Sequence, residues 1–364
     1  MKVLHIVPYL PKASGVTTFV DEVSKQLVAK GVGCAVCVEM VDCFGMTKVE
    51  GVPRISVDEG LRRLNDFDVV HIHGIWRPCM HKFVVAARKF KKPIVWSLHG
   101  MLSPWAMKFK RWKKLPVWWL WQKRDLKYAA VLHVTSEIEK AWVVSCGFTN
   151  RIEEVPLGVS ISEKECLRNH SRKTLLFVGR INPIKGLENL IRAWSDCFEI
   201  AVKNDWQLRL VGICGSDYQK KLQMLASSFG AGSNVSFPGP KYDEELMAEY
   251  GNADALVLPS FTENFGGVVV DAMAVGLPVI TSRGTPWRIV EERRCGWWVD
   301  NRPESLSRVI QELITMPERE RCSMGSRARQ LAVEKYSWTA VARSVAAIYV
   351  SVIENKASVK QNER

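Results

Sequence analysis

The chain has 364 residues, which is too long for one ordinary core and suits two domains of about 150 to 200 residues. Its composition, 47% hydrophobic and 24% charged, excludes the disordered and fibrous classes. The net charge of +13 is uneven, because residues 1–168 hold 26 Lys and Arg against 16 Asp and Glu. This asymmetry indicates a polyanionic partner, either nucleic acid or an anionic membrane surface.

The amino terminus and the cysteines indicate a cytosolic protein. The opening MKVLHIVPYLPK has a short apolar run broken by Pro8 and no cleavage site, so we expect no secretory signal. No apolar run approaches the roughly 18 to 20 residues that cross a bilayer. Cys34 and Cys37 form a CxxC without a second pair, and their odd spacing places them on opposite faces of a strand. Reduced core thiols are therefore favoured over a zinc site.

The elements alternate between strands and helices along the whole chain. In the first half the apolar runs KVLHIVPY, GCAVCVEM, DVVHIHG, PIVWSLHG and AAVLHVTS are separated by helical patterns. The second half repeats this with TLLFVGR, WQLRLVG, NVSFPG, ADALVLPS and LPVITS. Such alternation predicts two doubly wound parallel-sheet domains. We place them at 1–165 and 166–335, followed by a helix and tail at 336–364 whose domain the pattern leaves open.

Three stretches follow strands at the edge where open parallel sheets bind ligands. Gly15, after the first strand, lets a backbone approach a ligand, or forms a plain turn. Arg180 and Lys185 in GRINPIKG converge on a helix start, as a diphosphate requires, or are a solvated pair of surface charges.

The stretch FTENFGGVVVDAMAVGLP, residues 261–278, holds two carboxylates on either side of two glycines. Glu263 and Asn264 fall in a loop, and Gly266 and Gly267 permit tight backbone geometry before a buried helix. Asp271 lies within or just past the first helical turn. Its simplest role is that of a carboxylate stabilised by the helix dipole, by about 0.3 to 1 kcal/mol.

These motifs together resemble a known family. GRINPIKG, followed about eighty residues later by PSFTENFGGVVVDAMAVGLPVI, is similar to the nucleotide-sugar half of the retaining glycosyltransferases of family four. DVVHIHG, SLHG, VTSE and VPLGV resemble its amino-terminal landmarks, so the likeness covers most of the chain. Residues 99–137 look most like members that build lipopolysaccharide or exopolysaccharide. The resemblance implies a GT-B fold, in which two Rossmann-like domains face each other across a cleft.

The resemblance also implies roles for individual residues. Arg180 and Lys185 would hold the diphosphate of a UDP- or GDP-sugar, while Glu263 would lie beside the sugar ring. His99 would approach that sugar from the first domain, although a lone histidine there is otherwise a satisfied core residue. The phosphate and hexose would be cradled by Gly15, Asn264, Phe265, Gly266 and Gly267. His71 and His73 are interpreted as structural.

The second carboxylate departs from the family pattern, which has glutamate at both positions. Asp271 would bind the ribose hydroxyls through a side chain one methylene shorter, by a backbone shift or through a water. No second acid stands out as a nucleophile, so we expect transfer with retained configuration by same-face attack. Cationic side chains and helix dipoles would stabilise the leaving diphosphate, and no metal or other cofactor is expected.

Residues 104–127 combine eight basic residues, one acid and five tryptophans. This composition is typical of a helix lying in an anionic membrane interface, where Pro116 would mark a helix start. A core-packed helix with a solvated cationic face and a platform for single-stranded nucleic acid are the alternatives. The membrane-contacting residues we expect are Trp105, Lys108, Lys110, Arg111, Trp112, Lys113, Lys114, Trp118, Trp119 and Trp121.

The sequence therefore predicts a glycosyltransferase that moves a hexose-type sugar onto a growing, lipid-linked cell-surface glycan at the inner face of the cell membrane, without nucleic acid. Two rival functions remain. One is a nucleotide-sugar epimerase of similar architecture, which needs no acceptor. The other is a non-catalytic membrane or glycan-assembly partner.

Overall fold

The structure is a computed structural model that describes residues 1–8, 14–39, 49–161 and 172–362. The chain forms two compact units. The first consists of Met1–Gly158 together with Trp338–Arg364, and the second of Val159–Ser337. The boundary predicted at residue 165 lies outside the described residues.

The first unit is a parallel sheet with helices on its faces. Its described strands pair in the order β3-β2-β1-β4-β5-β6-β7. The strands are β1 (Lys2–Val7), β2 (Gly33–Val38), β3 (Arg54–Ile55), β4 (Val69–His73), β5 (Ile94–Ser97), β6 (Val131–Val134) and β7 (Arg151–Glu154). The helices are α1 (Gly15–Val28), α2 (Val57–Arg62), α3 (Pro78–Lys89), α4 (Pro104–Lys108), α5 (Arg111–Val117), α6 (Lys123–Tyr128) and α7 (Glu137–Ser145), with a 3₁₀ turn at Leu64–Asp66 and a π-helix at Trp118–Gln122.

The second unit repeats this architecture. Its described strands pair in parallel in the order β10-β9-β8-β11-β12-β13. They are β8 (Lys173–Val178), β9 (Trp206–Val211), β10 (Val235–Gly239), β11 (Ala255–Leu258), β12 (Val279–Ser282) and β13 (Gly296–Val299). The helices are α8 (Leu187–Asp196), α9 (Phe198–Lys203), α10 (Ser216–Ser228), α11 (Asp243–Gly251), α12 (Gly267–Ala274), α13 (Ile289–Glu292), α14 (Pro303–Thr315) and α15 (Glu318–Leu331), with 3₁₀ turns at Pro183–Lys185 and Gly232–Asn234 and a π-helix at Ala332–Tyr336.

Each sheet has a switch point, where the strand order reverses direction. In the first unit it lies between β1 and β4, and in the second between β8 and β11. Open parallel sheets bind ligands beyond the carboxyl ends of their strands at this position. The predicted pair of doubly wound domains is confirmed, and each domain has one such position.

The last helix, α16 (Trp338–Asn362), belongs to the first unit. Its Val341, Val345 and Tyr349 are buried in the same cluster as Phe19 and Val23 of α1. Cys34 lies in this cluster, whereas Cys37 packs in the cluster on the opposite face of the sheet. These two clusters confirm the expected placement of the pair on opposite faces of a strand. The eight described cysteines are free thiols.

Candidate active site

The switch point of the second unit brings together two side chains that the sequence predicted separately. Lys185 ends the 3₁₀ turn that follows β8, and Glu263 lies in the loop between β11 and α12. Lys185 Nζ forms an ion pair with Glu263 Oε1, which also accepts a hydrogen bond from Ser260 Oγ at 2.8 Å. The Lys185 and Glu263 side chains remain 16% and 14% exposed. The pair is thus sheltered but open to a ligand.

Close backbone packing fixes the two loops that carry this pair. Phe261 N donates to Ile184 O at 2.8 Å, and Glu263 N donates to Gly284 O at 3.0 Å. Gly186 has a φ of +68°, and a Cβ there would lie 2.1 Å from Asn301 Nδ2. Only glycine fits in so close an approach, and it lets α8 begin immediately after Lys185.

The amino termini of α8 and α12 face this same edge of the sheet without side-chain caps. Gly186 and Gly266 are their N-cap residues, both in the left-handed region, and neither helix has a side-chain hydrogen bond at its cap. The first N–H groups of such helices favour an anion. Gly267 opens α12, so the predicted glycine pair lies where a phosphate could approach the backbone.

The residues that flank these glycines differ in exposure. Phe265 is buried against Trp287, whose Nε1 donates to Phe265 O at 2.6 Å, so the Phe265 ring anchors the start of α12. Asn264 is half-buried beside it. Arg180 is exposed just beyond β8, and no carboxylate of the described residues forms an ion pair with it. Its charge therefore remains available to a ligand.

Asp271 is the fifth residue of α12 and is half-buried. Burial raises the pKa of its carboxyl from 3.8 to about 6, while its interaction with the buried Tyr250 of α11 opposes part of that shift. A helix dipole alone would lower that pKa. Burial therefore governs the ionisation of this carboxyl, and both the ribose role and the dipole role of Asp271 stay predictions.

In the first unit, His99 lies just after β5 in a left-handed conformation, with a φ of +51°. The next residue is held by a carboxylate, because Gly100 N donates to Glu139 Oε1. Glu139 is fully buried and also accepts from Thr135 N at 2.7 Å and from Thr135 Oγ1 at 2.8 Å. We did not predict this clamp. Its signal is the S-x-x-E spacing of Ser136 and Glu139, where Ser136 caps α7.

Four more histidines surround His99 at the carboxyl end of the first sheet. His5 Nδ1 lies 3.0 Å from His73 Nε2, and His73 Nδ1 lies 3.2 Å from His99 Nε2. A second branch joins His71 to Tyr349 Oη at 2.5 Å and to Ser97 Oγ at 2.7 Å. Ser97 Oγ also meets His133 Nδ1 at 2.5 Å. The burial of His71 and His73 agrees with their interpretation as structural residues.

These histidines are neutral. Burial lowers the pKa of His5 and of His133 to about 4 and that of His99 to about 3. Ring nitrogens of His5, His71 and His73 lie within 4.8 Å of one another, a spacing that could also hold a metal ion. Both nitrogens of His71 and both of His73 already have hydrogen-bond partners, so the geometry favours a hydrogen-bonded cluster.

Two family models match the chain, one for each half. Residues 13–163 match the model described as Glycosyltransferase Family 4, and residues 160–331 match Glycosyl transferases group 1. Together they span most of the chain. Both halves of the chain therefore belong to glycosyltransferase families.

Curated relatives of this glycosyltransferase share one half or most of its length. A D-inositol 3-phosphate glycosyltransferase of Corynebacterium efficiens is 33% identical over 185 residues, which are 49% of this chain and 42% of that protein. An MMP alpha-(1->4)-mannosyltransferase of Mycolicibacterium hassiacum is 26% identical, over 81% of this chain and 73% of that protein. The aligned region thus spans less than half the length of the first relative.

Solved structures confirm the GT-B fold of this glycosyltransferase. Anabaena Alr3699/HepE in complex with UDP superimposes with a TM-score of 0.75 at 18% identity, over 96% of this chain and 100% of that one. The apo form of WaaB, a lipopolysaccharide outer core galactosyltransferase, gives a TM-score of 0.70 at 17% identity, over 96% and 99%. The family resemblance inferred from the sequence is confirmed, whereas the glycan-assembly type and the retention of configuration stay predictions.

The other sequence-predicted residues of this glycosyltransferase lie in the first unit. Gly15 is the exposed first residue of α1, and the Ser14 side chain already caps this helix start through Thr17 N, so the ligand-binding role of Gly15 stays a prediction. In the basic segment Trp118 was predicted to contact a membrane, but it is 6% exposed and packs on Trp76 and Phe148. That prediction is wrong, because the π-helix that begins at Trp118 turns its ring into the core.

Three further residues of the basic segment differ from expectation. Pro116 does not start a helix, because α5 begins at Arg111 and Pro116 lies inside it, just before the π-helix. Lys114 is half-buried, with its Nζ donating to Ala106 O, so it ties α5 to α4. Trp121 is also half-buried, beside His81. Lys114 and Trp121 thus pack within the basic segment, and its exposed residues remain accessible to a partner.

Proposed function

We propose that the chain transfers a hexose-type sugar from a UDP- or GDP-sugar to a growing, lipid-linked cell-surface glycan, with retention of anomeric configuration. The observation that carries this proposal is the Lys185–Glu263 pair at the β8/β11 switch point. It lies beside two helix amino termini without side-chain caps and beside the exposed Arg180. Such an edge of a parallel sheet suits the diphosphate of a nucleotide sugar.

Binding of the donor would exchange partners within this pair. Lys185 Nζ, held by Glu263 in the ligand-free protein, would turn to the diphosphate, and Arg180 would add a second cation. Glu263 would then be free to accept hydrogen bonds from the sugar hydroxyls. The exchange keeps each charge partnered before and after binding, which avoids the cost of an isolated charge at a sheltered site.

The remaining donor contacts follow the family resemblance. Asp271 would bind the ribose hydroxyls and His99 a sugar hydroxyl, while Gly15, Asn264 and the N–H groups of Phe265, Gly266 and Gly267 would cradle phosphate and hexose. Among similar solved structures, one holds UDP and glucose and another is a lipopolysaccharide galactosyltransferase. The first supports a nucleotide-sugar donor, and the second supports a glycan acceptor.

The reaction we propose needs no covalent enzyme intermediate. The bond from the anomeric carbon to the diphosphate oxygen breaks, and the acceptor hydroxyl oxygen bonds to that carbon on the same face. The hydroxyl proton passes to the departing phosphate oxygen. Arg180, Lys185 and the helix amino termini stabilise the negative charge that develops on the diphosphate, which is the role a metal ion has in other enzymes.

We further propose that α4, α5 and the π-helix dock on the inner, anionic face of the cell membrane. The apolar side chains of Trp105, Phe109, Trp112, Trp119 and Leu120 are between 50% and 73% exposed, which is unusual for apolar groups of this size. No helix among the described residues is both long and apolar enough to cross a bilayer. An interfacial contact therefore suits this surface better than a spanning helix.

Charge supports a lipid partner for the same surface. Lys110, Lys113 and Lys123 place their Nζ atoms over the rings of Phe109, Trp112 and Trp119, at 4.8 to 5.4 Å from the ring centroids. Further cations are Lys108 and Arg111, both exposed. The one acid of the segment, Asp125, is buried against His81. Each basic residue near an anionic bilayer contributes about 1 kcal/mol, so several suffice for docking.

A transfer assay tests the catalytic proposal. Glu263→Gln should lower kcat/KM by about 100-fold or more, because the neutral amide cannot replace the carboxylate at the site. Glu249→Gln is the matched control, since Glu249 is equally sheltered in an ion pair with Arg209 but lies on α11. It should retain transfer. Equal activity in both variants would contradict the proposal.

Product analysis separates the rival functions. With donor and acceptor, we expect a glycoside of the same anomeric configuration as the donor sugar, identified by NMR. A nucleotide-sugar epimerase would convert the donor without any acceptor. A non-catalytic partner would bind the donor or the membrane and leave both substrates unchanged. An inverted product would refute the retaining mechanism.

Liposome flotation tests membrane docking. Wild-type protein should float with anionic vesicles and remain below with neutral ones, and Trp112→Ala with Trp119→Ala should abolish flotation. Phe229→Ala controls for loss of an exposed ring, because Phe229 is 51% exposed in the second unit. Binding of a single-stranded oligonucleotide without flotation would favour the nucleic-acid alternative.

A further inference from the structure

Three histidines form a linear chain of hydrogen bonds that ends at His99. His5 comes from β1 and His73 from β4, the two strands at the switch point of the first unit. His5 Nδ1 meets His73 Nε2 at 3.0 Å, and His73 Nδ1 meets His99 Nε2 at 3.2 Å. His5 and His73 are fully buried, whereas His99 is half-buried. A ligand could therefore reach only the His99 end.

Each ring in this chain carries one proton. Burial lowers the pKa of all three histidines, and repulsion from other histidines adds to this effect at His73 and His99, so none is charged near pH 7. A neutral imidazole has one N–H donor and one bare acceptor nitrogen. The direction of one hydrogen bond therefore fixes the direction of the next along the chain.

The buried end of the chain decides that direction. His5 Nε2 is buried and has no hydrogen-bond partner among the described residues. A buried N–H without an acceptor is rarer and more costly than an acceptor without a donor. His5 thus keeps Nε2 bare and carries its proton on Nδ1, which donates to His73 Nε2. His73 then donates from Nδ1 to His99 Nε2, so His99 must carry its own proton on Nδ1.

We propose that His5 and His73 are positioning residues that fix His99 as the Nδ1–H tautomer and so set it as a hydrogen-bond donor toward its ligand. The Glu139 contact to Gly100 N fixes the backbone beside the same ring. Both the position and the proton of His99 are then determined before a ligand arrives. A donor N–H at Nδ1 selects an acceptor oxygen, such as that of a hydroxyl or a phosphate, and this last step rests on the proposed glycosyl transfer.

Two substitutions at His73 separate tautomer control from packing. In His73→Asn the amide nitrogen takes the place of Nδ1 and can still donate to His99 Nε2. In His73→Phe a ring of similar size fills the space with no polar atom. Histidine NMR of isotope-labelled, ligand-free protein reports which ring nitrogen is protonated, and His99→Asn assigns the signal of His99.

We expect His99 to be protonated on Nδ1 in the wild type and in His73→Asn, and to show both tautomers in His73→Phe. His73→Leu also removes both ring nitrogens and should release the tautomer in the same way, which keeps the test open if His73→Phe does not fold. Protonation of His99 on Nε2 in the wild type would overturn the proposal. So would an unchanged Nδ1–H tautomer in His73→Phe or His73→Leu.

Kinetics then connect the tautomer to transfer. His73→Phe should lower kcat/KM by about tenfold, the cost of one misdirected hydrogen bond, while His73→Asn should stay within about threefold of the wild type. Equal losses in both variants would indicate a packing role and overturn tautomer control. The NMR result needs no donor sugar, so it stands or falls separately from the proposed transferase activity.

Discussion

The two switch points of the chain hold different chemistry on the same topology. Between β1 and β4 of the first unit, His5, His71 and His73 are neutral and at most 1% exposed. Between β8 and β11 of the second unit, Lys185 and Glu263 are charged and remain partly exposed. The histidines satisfy one another, whereas the ion pair can release its lysine to a ligand.

The same fold thus supports two kinds of polar site, one that fixes local geometry and one that is suited to bind a charged ligand. A self-satisfied polar cluster fixes the geometry of its members and gains nothing from a charged ligand. A charged pair beside glycines and helix amino termini is suited to bind one. We therefore expect changes in the first unit to act mainly on stability and on His99, and changes in the second to act mainly on ligand affinity.

As the pH falls, we expect the sheet of the first unit to unfold before the sheet of the second unit. A buried histidine with a lowered pKa must stay neutral in the folded state, whereas it is protonated below about pH 6.5 in the unfolded chain. Its contribution is therefore complete above pH 6.5 and is lost as the pH falls toward the folded-state value. Between these two pKa values, each such histidine lowers the free energy of unfolding by about 1.4 kcal/mol for every unit by which the pH falls. Five such histidines together lower it by several kcal/mol.

Pulsed hydrogen exchange with mass spectrometry, after incubation between pH 7 and pH 4, localises this unfolding. We expect peptides of β1, β4 and β6 to lose protection first, while those of β8 and β11 persist. Equal protection of both sheets across this range would contradict the neutral-histidine account.

Removing one hydrogen-bond partner of the histidine cluster should lower the free energy of unfolding by less than acid does. Tyr349→Phe deletes the hydroxyl that lies 2.5 Å from His71 Nδ1 and leaves a buried nitrogen without that bond. We expect a loss of about 1 to 3 kcal/mol in the free energy of unfolding, measured in urea. Tyr128→Phe, at an exposed ring, is the control and should change little. A neutral effect of Tyr349→Phe would show that the bond contributes no stability.

At neutral pH, the ionised Asp271 side chain should destabilise the ligand-free fold and contribute to donor affinity. Its folded-state pKa of about 6 lies above the ordinary value, so ionisation destabilises the fold as the pH rises from about 4 through 6. Asp271→Asn should therefore stabilise the ligand-free protein by about 1 to 2 kcal/mol at pH 7.5 and have little effect at pH 3.5. Thermal unfolding at both pH values checks this, with the exposed Asp196→Asn as control.

The same variant tests the ribose role. If the carboxylate binds the ribose hydroxyls, Asp271→Asn weakens the donor at pH 7.5, and Asp271→Glu retains or improves its affinity. No change in donor affinity in either variant would remove Asp271 from the donor site.

Removal of divalent metal ions by a chelator should have the smallest effect of these changes, here on donor affinity. Since Arg180, Lys185 and helix amino termini supply the positive charge, donor affinity in excess EDTA should stay within about twofold of that with Mg²⁺. Titration calorimetry in the two buffers measures it. A loss of binding in EDTA that Mg²⁺ restores would assign the charge to a metal ion.

The sequence predicted the fold and, separately, both members of the charged pair, because each of these depends on local order, whereas it did not predict that Lys185 and Glu263 form an ion pair. Strands followed by glycine-containing helix starts place Lys185 and Glu263 at one edge of a parallel sheet, whichever strands lie between. It did not predict the histidine chain, since His5, His73 and His99 are far apart in sequence and meet only when strand register is known. The clamp by Glu139 was also missed, although its capping-box spacing was readable.

Burial was the property least visible in the sequence. Composition suggested that all tryptophans of residues 104–127 face a membrane, but the π-helix after Pro116 changes the helical phase and buries Trp118. The raised pKa of Asp271 arises in the same way, from burial near Tyr250 of a different helix. Both effects come from tertiary packing, which no local pattern encodes.

The central claim is that the β8/β11 switch point binds the donor diphosphate, and UDP or GDP titration calorimetry tests it most directly. Lys185→Ala should weaken the nucleoside diphosphate by about 100-fold, as expected for loss of a charge-assisted contact at a sheltered site. Lys173→Ala removes an equal charge from a half-buried lysine at the opposite end of β8 and should bind like the wild type. Wild-type affinity in Lys185→Ala, or equal weakening in both variants, would contradict the account.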